Sequence, residues 1–467
     1  MNDKLQPSLL QVLGLGTAIF LVAGNMIGSG VFKKITQMSV GLMDGSLILW
    51  AWIVAGIITM LGAFSFASLA TTTMEAGGQF QYFKNVFGGF FGFLYGWSFF
   101  TVISTASIAS IAYVFAESFS NLFGLECILK EYGSYSVFGV LFLFKNATIK
   151  LVAISALVML TLFNIRGVKG GGWLSNIVTG AKILGILMLI VIGINYSGHT
   201  HQYEIQTIAT RANTSEIIKI SAFFTAMLGA FWAYDGWVNI TNMASEFKNP
   251  TKNIPIAIII GTALTMFLYV AVNYAYLQVL SPLDFVKLST QDGKIAAVEV
   301  ANIAIGSTGT TIIAILIMVS TFGATQASTM SAARVYYQMS IEGYFFEPFS
   351  RVHSRFRTPY ISLVGQMLWA SLLIISGTFD QLTDMLVFAA FIFYALGAVA
   401  VLRLKMQGKL STTFGYPFAP ILFLLCCIII VINAIYSRPL ESLSGLFLII
   451  LGVPLYLYFK AKNRPVI

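Results

Sequence analysis

Long apolar runs separated by short polar connections fill this chain from residue 11 to residue 460. A helix that crosses a bilayer needs about 20 apolar residues in succession. Runs of that kind lie near 11–37, 46–73, 88–119, 147–164, 173–196, 218–246, 254–280, 309–336, 359–378, 383–403, 417–436 and 442–460, and they predict about twelve membrane-spanning helices. None is strongly amphipathic toward water, as expected of a bundle dissolved in lipid. Small residues recur inside the runs instead, as in Ser104-Thr105-Ala106-Ser107 and again over 328–333, where they let helices approach closely. Between runs, the Asn249-Pro250 and Ile254-Pro255 steps stop one helix and start the next. The connection Met74-Glu75-Ala76-Gly77-Gly78-Gln79-Phe80 leaves a short helix and a plain polar turn equally open.

Two of the runs are interrupted. The first contains Val22-Ala23-Gly24-Asn25-Met26-Ile27-Gly28-Ser29-Gly30-Val31-Phe32, with Gly24, Gly28, Ser29 and Gly30 weakening the helix where no water can replace its hydrogen bonds. The second, about 200 residues later in the corresponding half of the chain, is Trp232-Ala233-Tyr234-Asp235-Gly236-Trp237. Unwound backbone at membrane depth is tolerated only against protein or a wet cavity. Paired interruptions of this kind point to a transport site.

Composition agrees with the pattern. Hydrophobic residues make up 57% of the 467 and charged residues 10%, with a mean hydropathy of +0.84. A soluble domain carries about 25% charged residues, so this is an integral membrane protein. The first run is too long for a signal peptide and is expected to stay in the chain, and no stretch outside the runs is long enough for a separate domain. The net charge of +9 comes without a basic-aromatic patch, so nucleic acid is not a partner. It reads as orientation. With both termini on the cytoplasmic side, about sixteen basic residues fall in inner segments and about ten in outer ones, the latter including Lys33, Lys34, Lys150, Arg211 and Arg438. The three cysteines, Cys127, Cys426 and Cys427, match neither a disulfide framework nor a metal site, and Cys426 and Cys427 read as packing residues.

The first break offers backbone N–H groups at Gly28, Ser29 and Gly30, the positive end of a second half-helix that suits a carboxylate. Carbonyls near Asn25 and Met26, at the end of the first half-helix, suit an ammonium group. One break thus provides for both ends of a zwitterion. At the second break, Asp235 is an intramembrane carboxylate, which marks a functional site by default. It could meet a cationic substrate side chain, take up a proton, or pair with protein. Trp232 could close over a ligand. Lys182, also mid-run, could stand where a coupling sodium would sit or carry a proton. Glu246, Arg334 and Glu117, at helix ends, are expected in solvent. His199, His201 and His353 lie in loops without second ligands, so neither a metal nor a cofactor is expected.

At these residues the chain resembles the amino acid–polyamine–organocation superfamily, and most closely its L-type amino acid transporter branch. The likeness includes residues 24–32, Gly77-Gly78 with Tyr82 and Phe87-Gly88, Phe93-Leu94-Tyr95-Gly96-Trp97, Phe115-Ala116-Glu117 and Ala181-Lys182. It continues through 231–237, Asn249-Pro250, Ser320-Thr321-Phe322-Gly323 and Arg334-Val335-Tyr336-Tyr337, covering nearly the whole chain. It implies an all-α, LeuT-like fold: inverted five-helix repeats over 1–200 and 201–410, with the last two helices appended over 411–467. It also implies a substrate site formed by Asn25, Met26, Ile27, Gly28, Ser29 and Gly30 together with Phe231, Trp232, Ala233, Asp235 and Gly236. In that family the position of Trp232 is an aromatic gate, and Lys182 matches a lysine that replaces a sodium site. Asp235 stands where most L-type members have a small residue, and members that exchange cationic amino acids and cystine share the same Trp-Ala-Tyr-Asp-Gly-Trp. Asn25 and Met26 look more like the arginine/agmatine exchangers. Animal members bind a heavy subunit through an outer-loop cysteine; nothing around Cys127 is distinctive, and such a partner is not expected.

The resulting expectation is a sodium-independent antiporter of neutral and cationic amino acids in the plasma (inner) membrane. Proton-coupled symport is the alternative, a polyamine or basic amino acid exchanger is a variant, and an amino-acid-binding membrane sensor is a remote third. An enzyme is disfavoured because the runs hold no convergent catalytic cluster, and a channel because no pore loop or polar ring is evident.

Overall fold

The structure is a computed structural model that describes residues 13–462 except 74, 76, 138–140, 167–170, 198–215 and 292, with backbone only for 171–177 and 216–218. His199, His201 and Arg211 lie outside the described residues. Among the described residues the chain is helical apart from two isolated bridges, one of which joins Leu13 to Phe247. Nine helices among the described residues are long and apolar enough to cross a membrane: Leu15–Lys33, Gly45–Leu69, Gly89–Phe123, Ala147–Ile165, Pro250–Val279, Ala296–Ile341, Phe379–Met406, Phe418–Ser437 and Pro439–Lys462. The runs near 173–196, 218–246 and 359–378 also hold helices, Gly171–Ile194, Glu216–Tyr234 and Tyr360–Ser376.

Local chemistry sets the helix ends. Asp44 accepts the Leu47 N–H at 2.9 Å as an N-cap, and Thr378 with Gln381 forms a capping box ahead of Phe379–Met406. Pro250 occupies the first turn of its helix, where its missing N–H costs nothing. After Gly77 and Gly78 the chain enters a short helix, Gln79–Phe87, so the helical reading of that connection prevails.

Burial sorts the helices. In Gly89–Phe123, 89% of the most apolar window is buried, against 28% in Pro439–Lys462. The former runs through the centre and the latter lies on the outside. Outward-facing side chains such as Leu184, Phe267, Ile432 and Phe418 are large, apolar and exposed, a surface that only a bilayer solvates well.

The helix-end charges expected in solvent are paired instead. Glu117 is buried and accepts from Lys33 at 2.5 Å, and Arg334 meets Glu246 at 2.8 Å. Lys34 and Lys150, counted with the outer segments, are also buried. The Lys150 ammonium donates to the carbonyls of Phe142 and Ile375, the latter at 2.7 Å. Helix ends crowd together in a bundle of this size, and a charge shielded from water there needs a partner.

Candidate functional site

The first interruption is three residues long. Leu15–Met26 ends where Ile27 donates its N–H to Ala23 O and Gly28 donates to Met26 O, both at 2.7 Å. The helix restarts at Gly30 and continues past Lys34 to Leu42. The first N–H groups of a restarted helix have no intrahelical acceptor. Beside them the Ser29 hydroxyl is fully buried and makes no hydrogen bond. On the other side of the gap, Lys182 reaches in from Gly171–Ile194, and its ammonium donates to Gly24 O at 3.0 Å and Ile27 O at 2.9 Å.

The second interruption begins where Glu216–Tyr234 stops. Asp235 donates its N–H to Trp232 O at 3.2 Å, and Gly236 turns the chain with φ +103°. A tight 3-10 stretch, Asn239–Glu246, follows. The two interruptions cross in direct contact. A Cβ on Gly30 would lie 2.5 Å from Ala233 Cβ, and one on Gly236 would lie 2.9 Å from Asn25 O. Both glycines are therefore required by the close approach of the other helix, and Gly236 by its own turn as well.

Tyr269, in the middle of Pro250–Val279, joins the two. Its hydroxyl lies 2.7 Å from Met26 O and 3.2 Å from Ala233 O. Sequence reasoning missed this residue. A buried tyrosine in an apolar helix needs a hydrogen-bond partner, which was the available signal.

Asp235 accepts from the Tyr394 hydroxyl at 2.7 Å, and no ion pair among the described residues involves it. It borders two cavities of about 20 and 10 Å³. The larger is lined by Gln79, Ser104, Ser107, Asn239 and Ser328 besides aromatic rings; the smaller touches Phe231, which packs on Phe391. Each has room for about one water, so the crossing is closed.

A far larger space, about 390 Å³, opens beyond Phe379, which lines it with Lys33, Lys34, Glu117, Asp380 and Arg438. Trp232 packs edge-on behind Phe379 at 5.1 Å. Lys34 is fully buried over both rings, 4.6 Å from Phe379 and 5.5 Å from Trp232. Its ammonium donates to Gln37 Oε1 at 2.6 Å and to Asp380 Oδ1 and Thr383 Oγ1 at 2.8 Å. This cation binds the restarted half of the first helix to the Phe379–Met406 helix, directly above the crossing. At the other end of the first helix, Leu13 exchanges backbone hydrogen bonds with Glu246 and Lys248, beside the Arg334–Glu246 pair. Among the described residues no group of three or more His, Cys, Asp or Glu could hold a metal.

Backbone donors and acceptors released from helical bonding at two crossed helix breaks, buried under an aromatic cover with a polar vestibule beyond it, suit reversible binding of a small polar molecule. A model of the amino acid permease family matches residues 13–456. The chain belongs to that family. It is an amino acid transporter of the amino acid–polyamine–organocation superfamily and a multi-pass membrane protein, in a family of transporters rather than enzymes. It is 30% identical to the serine/threonine exchanger SteT of Bacillus subtilis (strain 168) over 457 residues, 97% of either chain. It is 27% identical to the mouse b(0,+)-type amino acid transporter 1, over 97% of this chain and 88% of that one. With the mouse large neutral amino acids transporter small subunit 2 it shares 28% identity over 98% of this chain and 83% of that one.

Proposed function

We propose that the protein is a sodium-independent amino acid exchanger working by alternating access. Twelve helices would cross the plasma membrane with both termini cytoplasmic, as inverted repeats over 1–200 and 201–410 with 411–467 appended. The observation that carries the reading is the Lys182 ammonium on the carbonyls of Gly24 and Ile27. It supplies at the break the positive charge that a coupling sodium would bring. That one relative is named an exchanger supports antiport.

The substrate carboxylate would bind the N–H groups of Ser29 and Gly30, the free Ser29 hydroxyl and, in place of Met26 O, the N–H of Gly28. Its ammonium would use carbonyls of Asn25, Ile27, Phe231, Trp232 and Ala233, which keep a lone pair beside Tyr269 and Lys182, and that of Met26 in exchange for one of the two hydrogen bonds it now accepts, from Gly28 and Tyr269. Asp235, Gly236 and the polar wall of the cavity would receive the side chain, with Trp232 as cover. The small space favours short polar side chains, and the carboxylate of Asp235 extends the range to cationic ones. Cys127 is exposed, but this reading needs no heavy subunit.

Uptake of labelled serine and arginine into proteoliposomes without sodium tests the proposal. Exchange requires unlabelled amino acid inside. Uptake into empty vesicles driven by an inward proton gradient would overturn it in favour of symport, for which Lys182 offers a titratable group at the break.

A further inference from the structure

On the membrane face behind the site, a cleft of about 400 Å³ opens between the helices Tyr360–Ser376, Phe379–Met406 and Pro439–Ile450. Its deep end is apolar, with Trp369, Leu373, Met385 and Leu448. Of its polar side chains, Ser376, Gln381 and Glu441 come from one end of the three helices, where one helix finishes and the other two begin, and Ser444 follows about one turn beyond Glu441. Between Gly377 and Trp369, and between Leu440 and Leu448, the walls run about 12 Å at 1.5 Å per residue. That is close to half of a hydrocarbon core about 30 Å thick. The rims continue the lipid-facing surface, since Leu368, Leu372, Leu443 and Phe447 are all exposed. The dimensions, the apolar depth and the polar mouth fit one lipid chain from one leaflet.

The cleft floor is tied to the site. Trp369 Nε1 donates to Thr101 O at 2.7 Å, and Trp97 Nε1 donates to Leu448 O at 2.8 Å. Thr101 lies in a π-helical turn, Phe99–Ile103, whose widened backbone frees carbonyls for such bonds. Phe99 and Ile103 of the same turn line the cavity beside Asp235.

We propose that this cleft binds one acyl chain of a phospholipid, with an amine-bearing headgroup at Glu441, and that its occupancy sets the transport rate through the Trp369–Thr101 bond. Native mass spectrometry of the purified protein, reconstituted and re-extracted from phosphatidylethanolamine/phosphatidylglycerol vesicles, tests it. The wild type retains one phosphatidylethanolamine. Ser444→Trp, which fills the cleft, loses it and changes exchange by about two- to thirtyfold, the span of couplings of this size. Leu443→Trp, on the neighbouring lipid-facing surface, keeps both. Glu441→Gln retains a lipid but no longer prefers phosphatidylethanolamine. Should Ser444→Trp fail to fold, phosphatidylethanolamine with brominated chains must quench a fluorescence component that Trp369→Phe lacks. Lipid retention unchanged by Ser444→Trp, a dimer that this variant dissociates without lipid loss, or no quenching at Trp369 would overturn the proposal.

Discussion

Replacing Tyr269 by phenylalanine removes one oxygen and leaves the ring in place against Trp52 and Tyr234, whose centroids lie 5.6 and 5.1 Å away. The single hydroxyl proton serves Met26 O at 2.7 Å, with Ala233 O at 3.2 Å as the weaker acceptor, and so holds the two breaks together. Hydrogen bonds between membrane helices contribute on average about 0.6 kcal/mol and at most about 1.7. Met26 O keeps the Gly28 N–H at 2.7 Å, so the variant does not orphan that carbonyl and no larger desolvation cost is added. The closed crossing should lose about three- to eighteenfold in population relative to its open alternatives, the factor these energies correspond to. Exchange in proteoliposomes, resolved into KM and maximal rate, together with the Tm of the purified protein, is the assay. A rise in KM or a change in rate within that range is expected, with only a small fall in Tm because the packing survives. Wild-type KM and rate in a folded variant would refute the assignment of Tyr269 as the bridge.

Gly30→Ala puts a methyl group 2.5 Å from Ala233 Cβ and 2.6 Å from Ala233 Cα, an overpacking worth about 1–3 kcal/mol; transport should fall, and because the second contact is to backbone, adding Ala233→Gly should not restore it in the same assay. Lys34→Met leaves Asp380 without its ammonium. The Asp380 side chain is 55% exposed to the vestibule, so the loss should be about 1 kcal/mol rather than the 3–5 of a fully buried pair. A double-mutant cycle with Asp380→Leu, read as Tm, should show the two changes to be non-additive. Asp235→Ala removes the acceptor of the Tyr394 hydroxyl and should lower inhibition of serine exchange by arginine more than by alanine; an unchanged inhibition profile would remove Asp235 from side-chain selection.

Much of the architecture was legible because membrane helices are written locally. Twenty apolar residues in a row leave the backbone no choice but to bond within itself, and every predicted run carries a helix. The position of the first interruption was legible for the same reason. Glycine and serine clustered at 28–30 weaken a helix by their own backbone and side-chain preferences, and the chain unwinds at 27–29. Lys182 and Asp235 stood out because an isolated charge in an apolar run is costly wherever it is placed.

What the charges and hydroxyls do was decided by tertiary structure. Lys34 looks like an ordinary helix-end lysine until Asp380 and Thr383, about 350 residues away, close around it. Tyr269 is 243 residues from Met26, and Tyr394 is 159 from Asp235. Glu117 and Glu246 read as solvated because their own segments end there; Glu117 is buried and Glu246 partly shielded because Lys33, at the end of Leu15–Lys33, and Arg334, on Ala296–Ile341, meet them. Local sequence determined where this chain would be helical, where it would break, and which solvent it would need. The pairing of polar groups across helices depends on which faces meet, and packing of the whole bundle sets that.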